Sequence, residues 1–211
     1  MWKERAGFRK QRGYTDQIFT LRNIKDQCTD WQRQLYINFV DCGKAFDSIH
    51  RNSLRRILTA YVIPLCIVKI IGSFYHNIIC SVGSSSLNFQ VKTGERQGCV
   101  TSAVLFNLMI DRVMRRTTEY QQRGIRWTLF DTLEDLDFAD DLALQSHMYQ
   151  HMQDKTRRLS KFGQQVRPQI SKRKTEVMTL NVNTPALVFL DVQALPNTET
   201  FTYPGSVVRQ N

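Results

Sequence analysis

The sharpest chemical feature of this chain is the stretch Leu136-Asp-Phe-Ala-Asp-Asp-Leu-Ala-Leu144. Two adjacent carboxylates, Asp140 and Asp141, fall where apolar residues on both sides (Leu136 and Phe138, then Leu142 and Leu144) require a hairpin to turn. Aspartate tolerates turn geometry, so a solvated β-turn accounts for the pair without any chemistry. The chemical alternative is a rigid, half-buried tip that presents carboxylate oxygens to a divalent cation. Mg²⁺ is a hard ion that takes one or two carboxylates plus substrate phosphates. Two repelling carboxylates held at one tip make sense when a cation neutralises them.

A two-metal site needs a further carboxylate from another strand, and Asp41 stands at the end of the apolar run Leu35–Val40. Cys42-Gly-Lys-Ala-Phe-Asp47 then begins a tight turn toward a helix, whose backbone N–H groups would face an anion such as a triphosphate. Asp41 is equally well read as a helix N-cap, and Phe46 as a core residue. Between the two acidic sites lies Gly94-Glu-Arg-Gln-Gly-Cys-Val-Thr-Ser102. Gly98 permits close backbone approach and Gln97 offers both a donor and an acceptor, although a plain loop before a helix has the same composition. Ser171-Lys-Arg-Lys-Thr-Glu-Val177 sets cations just before a strand. That is either a solvated basic turn or a lysine, Lys174, reaching a leaving phosphate.

These residues need elements to hold them. A helix is expected from Asp16 to about Gln27. Leu35, Ile37 and Phe39 alternate with Tyr36 and Asn38 in the period of a strand. Asn52 to Ala60 reads as a helix, and Pro64 opens another with Ile67, Ile70 and Ile71 on one face. Residues 78–92 alternate around Gly83-Ser-Ser-Ser86 as a hairpin. Thr101-Ser102 can cap a long helix striped by Val104, Leu105, Leu108, Met109 and Val113. A last helix is expected over roughly Met148 to Gln164, with short strands after it. No repeat, low-complexity tract or linker divides the chain, and the mix of helices with antiparallel hairpins points to an α+β fold.

At 211 residues with 42 % hydrophobic composition, the chain can bury a substantial core. Lys and Arg outnumber Asp and Glu by 29 to 19, a net charge of +10 that suits a polyanionic partner, since each phosphate contact releases counterions. Solubility alone also explains a surplus of charge. The five cysteines are dispersed, without a Cys-x-x-Cys pair or a zinc-spaced histidine, and read as reduced thiols. The first residues, Met-Trp-Lys-Glu-Arg, lack the apolar stretch of a signal peptide, and the longest apolar run, Ile57 to Gly72, is interrupted by Pro64 and Lys69. An intracellular protein, nuclear or cytoplasmic and without a membrane span, is therefore expected.

The order of these segments resembles the reverse transcriptases of non-LTR (LINE-like) retrotransposons, with group II intron reverse transcriptases as more distant relatives. Arg5-Ala-Gly-Phe-Arg9 with Thr15-Asp-Gln-Ile-Phe-Thr-Leu-Arg22 is similar to the fingers motif, and Phe39-Val-Asp-Cys-Gly-Lys-Ala-Phe-Asp-Ser48 to motif A. Arg96-Gln-Gly-Cys99 with Leu105-Phe-Asn107 is similar to motif B, and Phe138-Ala-Asp-Asp141 to motif C. Ile170 through Lys174-Thr-Glu176 is similar to motif D, and Phe201-Thr-Tyr-Pro-Gly-Ser206 to the primer grip. Six such segments in the correct order say far more than any one of them.

The resemblance implies a right-hand polymerase palm with partial fingers, an antiparallel sheet packed on helices, and Asp41 and Asp140 on neighbouring strands. It makes Asp41, Asp140 and Asp141 ligands of two Mg²⁺ ions (Mn²⁺ as a substitute), with the main-chain carbonyl beside Cys42 near the metal. Phe46 becomes the gate against a 2′-hydroxyl, Gln97 and Gly98 the lining of the nucleotide pocket, and Lys174 the proton donor to pyrophosphate. The implied partners are an RNA template, a DNA primer and a dNTP. It divides the chain into fingers-like segments (1–38 and roughly 64–97), palm (39–63 and 98–190) and primer-grip region (191–211).

The chain departs from the family pattern at Ala103, where Ser-Pro is usual after Ser102, at Arg167-Pro168 in place of Gly-Leu, and at Pro204 in place of Leu. It starts inside the fingers and stops at the primer grip, so a missing thumb, a missing endonuclease and poor processivity are expected. Three further readings stay in play. One is an inert nucleic-acid-binding remnant, favoured by Pro204 and the absent thumb. Another is an RNA-dependent RNA polymerase, disfavoured by Phe46. The last is an intron maturase, for which no maturase segment is present.

Overall fold

A computed structural model describes residues 13–42, 51–76, 79–80, 89–90, 100–119, 123–127, 132–166, 170–203 and 205–210. Phe46, Gln97, Gly98, the Arg5–Arg9 segment, the Gly83–Ser86 turn, Arg167-Pro168 and Pro204 lie outside these residues. In chain order the elements are α1 (Tyr14–Asp30), β1 (Leu35–Asp41), α2 (Arg51–Ala60), α3 (Leu65–Phe74), β2 (Ile79–Cys80) and β3 (Phe89–Gln90). Next come α4 (Val100–Thr118), β4 (Ile125–Arg126), β5 (Thr132–Leu133), β6 (Asp135–Phe138), β7 (Asp141–Ser146) and α5 (Tyr149–Val166). The chain closes with β8 (Glu176–Leu180), β9 (Phe189–Leu190), β10 (Gln193–Ala194), β11 (Thr200–Tyr203) and β12 (Ser206–Arg209). This is the α+β architecture that the sequence pattern implies.

The centre is a four-stranded antiparallel sheet in the order β6-β7-β1-β8. Alternate side chains of a strand point to opposite faces, and here both faces are covered. Tyr36, Val40, Leu142, Leu144 and Val177 join one core with α2, α4 and α5, through residues such as Leu58, Phe106, Met109, Met152 and Leu159. Leu35, Ile37, Phe39, Leu136, Ala143 and Met178 join a second core with α1 (Ile18, Leu21, Ile24) and with Tyr203 and Val208 of the β11–β12 hairpin. Two-sided burial explains why Leu35 through Val40 are all buried, although Tyr36 and Asn38 alternate with the apolar residues as a surface face would. Asn38 is accommodated because its Nδ2 donates to Thr156 Oγ1 of α5 at 2.9 Å.

The helices depart from expectation in instructive ways. On α3 the buried residue is Val68, while Ile67 and Ile70 are exposed and Ile71 is only partly covered, so the isoleucine stripe is not the packing face. Thr101 and Ser102 lie within α4 rather than before it. That helix buries Phe106, Ile110 and Met114 along with Leu105, Met109 and Val113, leaving Val104 exposed. A helix sandwiched between α2 and α5 is covered over a wider arc than one stripe. Residues 79–80 and 89–90 do pair antiparallel, as the hairpin reading requires.

The β11–β12 hairpin folds back onto the sheet. The Phe39 and Phe201 rings stack with centroids 4.2 Å apart, and the Tyr203 hydroxyl donates to the Leu136 carbonyl at 2.8 Å. Its turn includes Gly205 at φ +74°, a left-handed conformation that glycine adopts without steric penalty. Among the described residues no helix is long and apolar enough to cross a membrane, and Cys28, Cys42 and Cys66 are free thiols.

Candidate active site

The antiparallel register of β1 against β7 sets Asp41 directly opposite Asp141. The same register continues into the two-residue turn Ala139-Asp140, because β6 and β7 close on the pair Phe138 and Asp141. Asp140 is fastened to β1 by its carbonyl, which accepts the Cys42 N–H at 3.2 Å. Residues about 100 positions apart in sequence thus meet through backbone pairing alone, and no flexible side chain is asked to bridge them. Ala139 adopts φ 54° at the turn. A non-glycine residue there carries local strain, which native structures retain mostly where the surrounding fold fixes a functional geometry.

By strand alternation Asp41 and Asp141 share the sheet face of Phe39 and Ala143, the face opposite α2, α4 and α5. Asp41 Oδ1 is buried and accepts no hydrogen bond. Its Oδ2 lies 3.4 Å from Lys174 Nζ, a pair in which the lysine is 70 % exposed and the aspartate 21 %. So exposed a cation holds its partner weakly. The Lys174 turn is set beside the site by the main chain, since the Ser171 N–H donates to the Asp41 carbonyl at 2.9 Å and the Lys174 N–H to the Ser171 carbonyl at 3.0 Å.

Electrostatics single out Asp141, whose carboxyl is pushed up to about 6. Burial is the largest cause, followed by the charges of Asp140 and Asp41, while Lys174 opposes them. A partnerless buried oxygen and a carboxylate held toward neutrality by its neighbours are the donor chemistry that a hard divalent cation satisfies. Among the described residues, however, no three His, Cys, Asp or Glu side chains converge tightly enough to surround an ion by themselves. The arrangement is an open pair of facing carboxylates with Asp140 alongside, which leaves coordination positions for ligands from elsewhere.

A second polar centre escaped the sequence reading. Lys155 of α5 is buried against the sheet. It pairs with the Glu134 carboxylate and donates to the carbonyls of Glu134 (3.0 Å) and Gln145 (2.7 Å). Glu134 in turn accepts the N–H groups of Arg123 (2.7 Å) and Gly124 (2.9 Å). The available signal was Lys155 falling on the same helical stripe as Met152, Leu159 and Val166, at a spacing reserved for core residues. This clamp fastens the open end of the β6–β7 hairpin, whose closed end carries Asp140 and Asp141.

Comparison with known proteins places this geometry. The family model for reverse transcriptase (RNA-dependent DNA polymerase) matches residues 1–208. The Pol polyprotein of the type-1 retrotransposable element R2 of Popillia japonica is 31 % identical over 109 residues, which are 50 % of this chain and 18 % of that protein. The Pol polyprotein of the type-2 element R2DM of Drosophila melanogaster is 33 % identical over 115 residues, 53 % of this chain and 11 % of that one. The chain therefore spans less than a fifth of the length of these relatives. Among solved structures, apo telomerase from Candida tropicalis superposes with a TM-score of 0.63 at 14 % identity, over 97 % of this chain and 39 % of that one. Telomerase from Candida albicans, in complex with a fragment of telomeric RNA, gives 0.67 at 13 % identity over 97 % and 33 %. Those two likenesses are of fold, and they match the polymerase palm and fingers expected from the motifs. With nearly its whole length matched by the family model, the chain belongs to the reverse transcriptase (RNA-dependent DNA polymerase) family.

Proposed function

We propose that this chain is the RNA-directed DNA polymerase core of a non-LTR retrotransposon, joining a dNTP to a primer 3′-hydroxyl and releasing pyrophosphate. The observation that carries the reading is the facing of Asp41 and Asp141 across the β1–β7 ladder, with Asp140 at the adjoining turn. Their oxygens would hold two Mg²⁺ ions, with Mn²⁺ as a substitute, and such ions activate the attacking hydroxyl and spread the charge of the phosphoryl group in flight. The protein's part is to fix geometry, because errors of an ångström are expensive in rate.

Within that reading each residue has a task. Asp41 and Asp141 are rigid because their backbones belong to paired strands. Asp140 is held by the Cys42 N–H. Lys174 swings from Asp41 to the leaving pyrophosphate and gives it a proton. Phe46 closes the sugar site against a 2′-hydroxyl, and Gln97 and Gly98 line the nucleotide and template pocket. The β11–β12 hairpin, stacked on Phe39, steadies the primer end. We assign residues 1–38 and roughly 64–97 to fingers, 39–63 and 98–190 to palm, and 191–211 to the primer grip, with an RNA template along the basic surface.

A second reading, an inert remnant that still binds nucleic acid, draws on the pairing of Lys174 with Asp41 and on the open spacing of the acidic side chains. Titration with Mn²⁺ in the presence of an RNA–DNA primer-template and a non-hydrolysable dNTP, followed by electron paramagnetic resonance, separates the two. Tight Mn²⁺ uptake that is lost in Asp41→Asn and in Asp141→Asn supports the polymerase. Uptake equal in wild type and both variants assigns the ions elsewhere and leaves the remnant.

A further inference from the structure

Between α2, α4 and α5, on the sheet face opposite the aspartates, lies a cavity of about 240 Å³. Its walls include Arg56, Arg112 and Arg116, with Phe162 and Gln165. Three arginines line one cavity, with no Asp or Glu among its walls. Arg112 and Arg116 are one helical turn apart on α4, where like charges repel each other. The acid on that helix, Asp111, is spent on Arg115 and on the Tyr61 hydroxyl. No described carboxylate pairs with Arg56, Arg112 or Arg116. Arg116 instead lies over the Phe162 ring, 5.8 Å from its centroid. Unlike the lysine beside Asp41, these arginines present planar forks, the geometry that grips a phosphate through two N–H groups at once.

We propose that this cavity is a phosphate-binding pocket that grips the backbone of an RNA strand on the face of the sheet away from the catalytic carboxylates. Repulsion among Arg56, Arg112 and Arg116 is relieved when a phosphodiester enters. Gln165 can both donate to and accept from a sugar hydroxyl. The pocket sits among helix residues, so it forms without the closing of a loop. That an RNA strand is at hand rests on the polymerase reading, whereas the preference for phosphate rests on the three arginines. The competing explanation for Arg116 is structural. It lies in the last turn of α4, where a cation complements the helix dipole, and that role predicts an effect on melting alone.

The test is single-stranded RNA binding by the full chain, measured by fluorescence anisotropy from 50 to 300 mM salt. Three proteins are compared: wild type, the triple variant Arg56→Gln, Arg112→Gln, Arg116→Gln, and an equally charged control, Lys69→Gln, Arg126→Gln, Arg157→Gln. Each phosphate contact on a single strand contributes about 0.7 to the slope of log affinity against log salt. The pocket holds one phosphodiester, so the pocket variant is expected to lose about 0.7 of slope and roughly fivefold in affinity at 100 mM salt, and the control much less. Arg56 is exposed, so Arg56→Gln should keep the fold while losing affinity in the same direction as the triple variant and by less. Equal losses in pocket variant and control would overturn the proposal, because net charge would then be the whole effect. Lost affinity for pyrophosphate with RNA binding intact would also overturn it, making the cavity a site for a free phosphate. Failure of the wild type to bind RNA would refute the pocket's occupant and the polymerase reading together, whereas wild-type binding without a pocket effect refutes the pocket only.

Discussion

Replacing Lys155 by methionine should unfold much of this protein's stability margin, and the structure indicates how much. The lysine side chain is 2 % exposed and its Glu134 partner 6 %. Burial works against the charge on Lys155, and the Glu134 carboxylate is what offsets it. Methionine fills similar volume, so the loss is electrostatic rather than a cavity. It leaves Glu134 as a buried anion and removes a charged donor from the carbonyls of Glu134 and Gln145. Breaking a buried pair from one side typically costs about 3–5 kcal/mol. The N–H groups of Arg123 and Gly124 still solvate the carboxylate, which argues for the middle of that range, about 4 kcal/mol. For a chain of this size each kcal/mol moves the melting temperature by roughly 2–4 °C, so a fall of about 8–16 °C is expected by calorimetry. Adding Glu134→Gln should restore more than half of it, since a neutral amide oxygen can still accept both N–H groups while the stranded charge is gone. A Lys155→Met variant that melts within about 2 °C of wild type, or a double variant as weak as the sum of the two singles, would refute the clamp.

Other outcomes follow from the same physics. Asp141→Asn should stabilise the metal-free protein at pH 7 by about 1 kcal/mol after solvent screening: its raised folded-state pKa costs stability as pH climbs from about 4 to about 6, so thermal melts of variant and wild type should converge at pH 3.5. Asp191 is the opposite case, held below the ordinary carboxylate value by the Ser160 hydroxyl and by Lys172. Its contribution is present above the unfolded-state pKa and lost as pH falls through the folded one, so Asp191→Asn should flatten the acid limb of the stability profile below about pH 4. Gly124→Ala would bring a Cβ to 2.0 Å from the Leu133 carbonyl oxygen, and a fall in melting temperature comparable to that of Lys155→Met should follow, because backbone must move to admit it.

The acidic site was legible because local patterns carried it. The apolar run ending at Asp41 and the apolar flanks of Ala139-Asp140-Asp141 announce two strand ends, and antiparallel pairing needs only the register to bring them together. That Asp141 rather than Asp140 faces Asp41 depends on which residues occupy the turn, a backbone detail that composition does not encode. The isoleucines of α3 misled because three apolar residues on one face look like a core stripe, whereas the packing of α2 and α4 uses Val68. Lys155 and the arginine pocket were invisible for a related reason. Each takes its meaning from residues far away in sequence, Glu134 on the sheet for one and Arg56 on another helix for the rest. Periodicity reports which face is buried and cannot report what it is buried against.

The most direct test of the account is single-nucleotide extension of a poly(rA)–oligo(dT) duplex with Mg²⁺ or Mn²⁺, beside an Asp140→Ala, Asp141→Ala variant. The account predicts incorporation of dTTP by the wild type, none above background by the variant, and salt-sensitive duplex binding by both. Intact duplex binding with no incorporation by the wild type in either metal would contradict it, and would make this chain a folded remnant that holds nucleic acid without copying it.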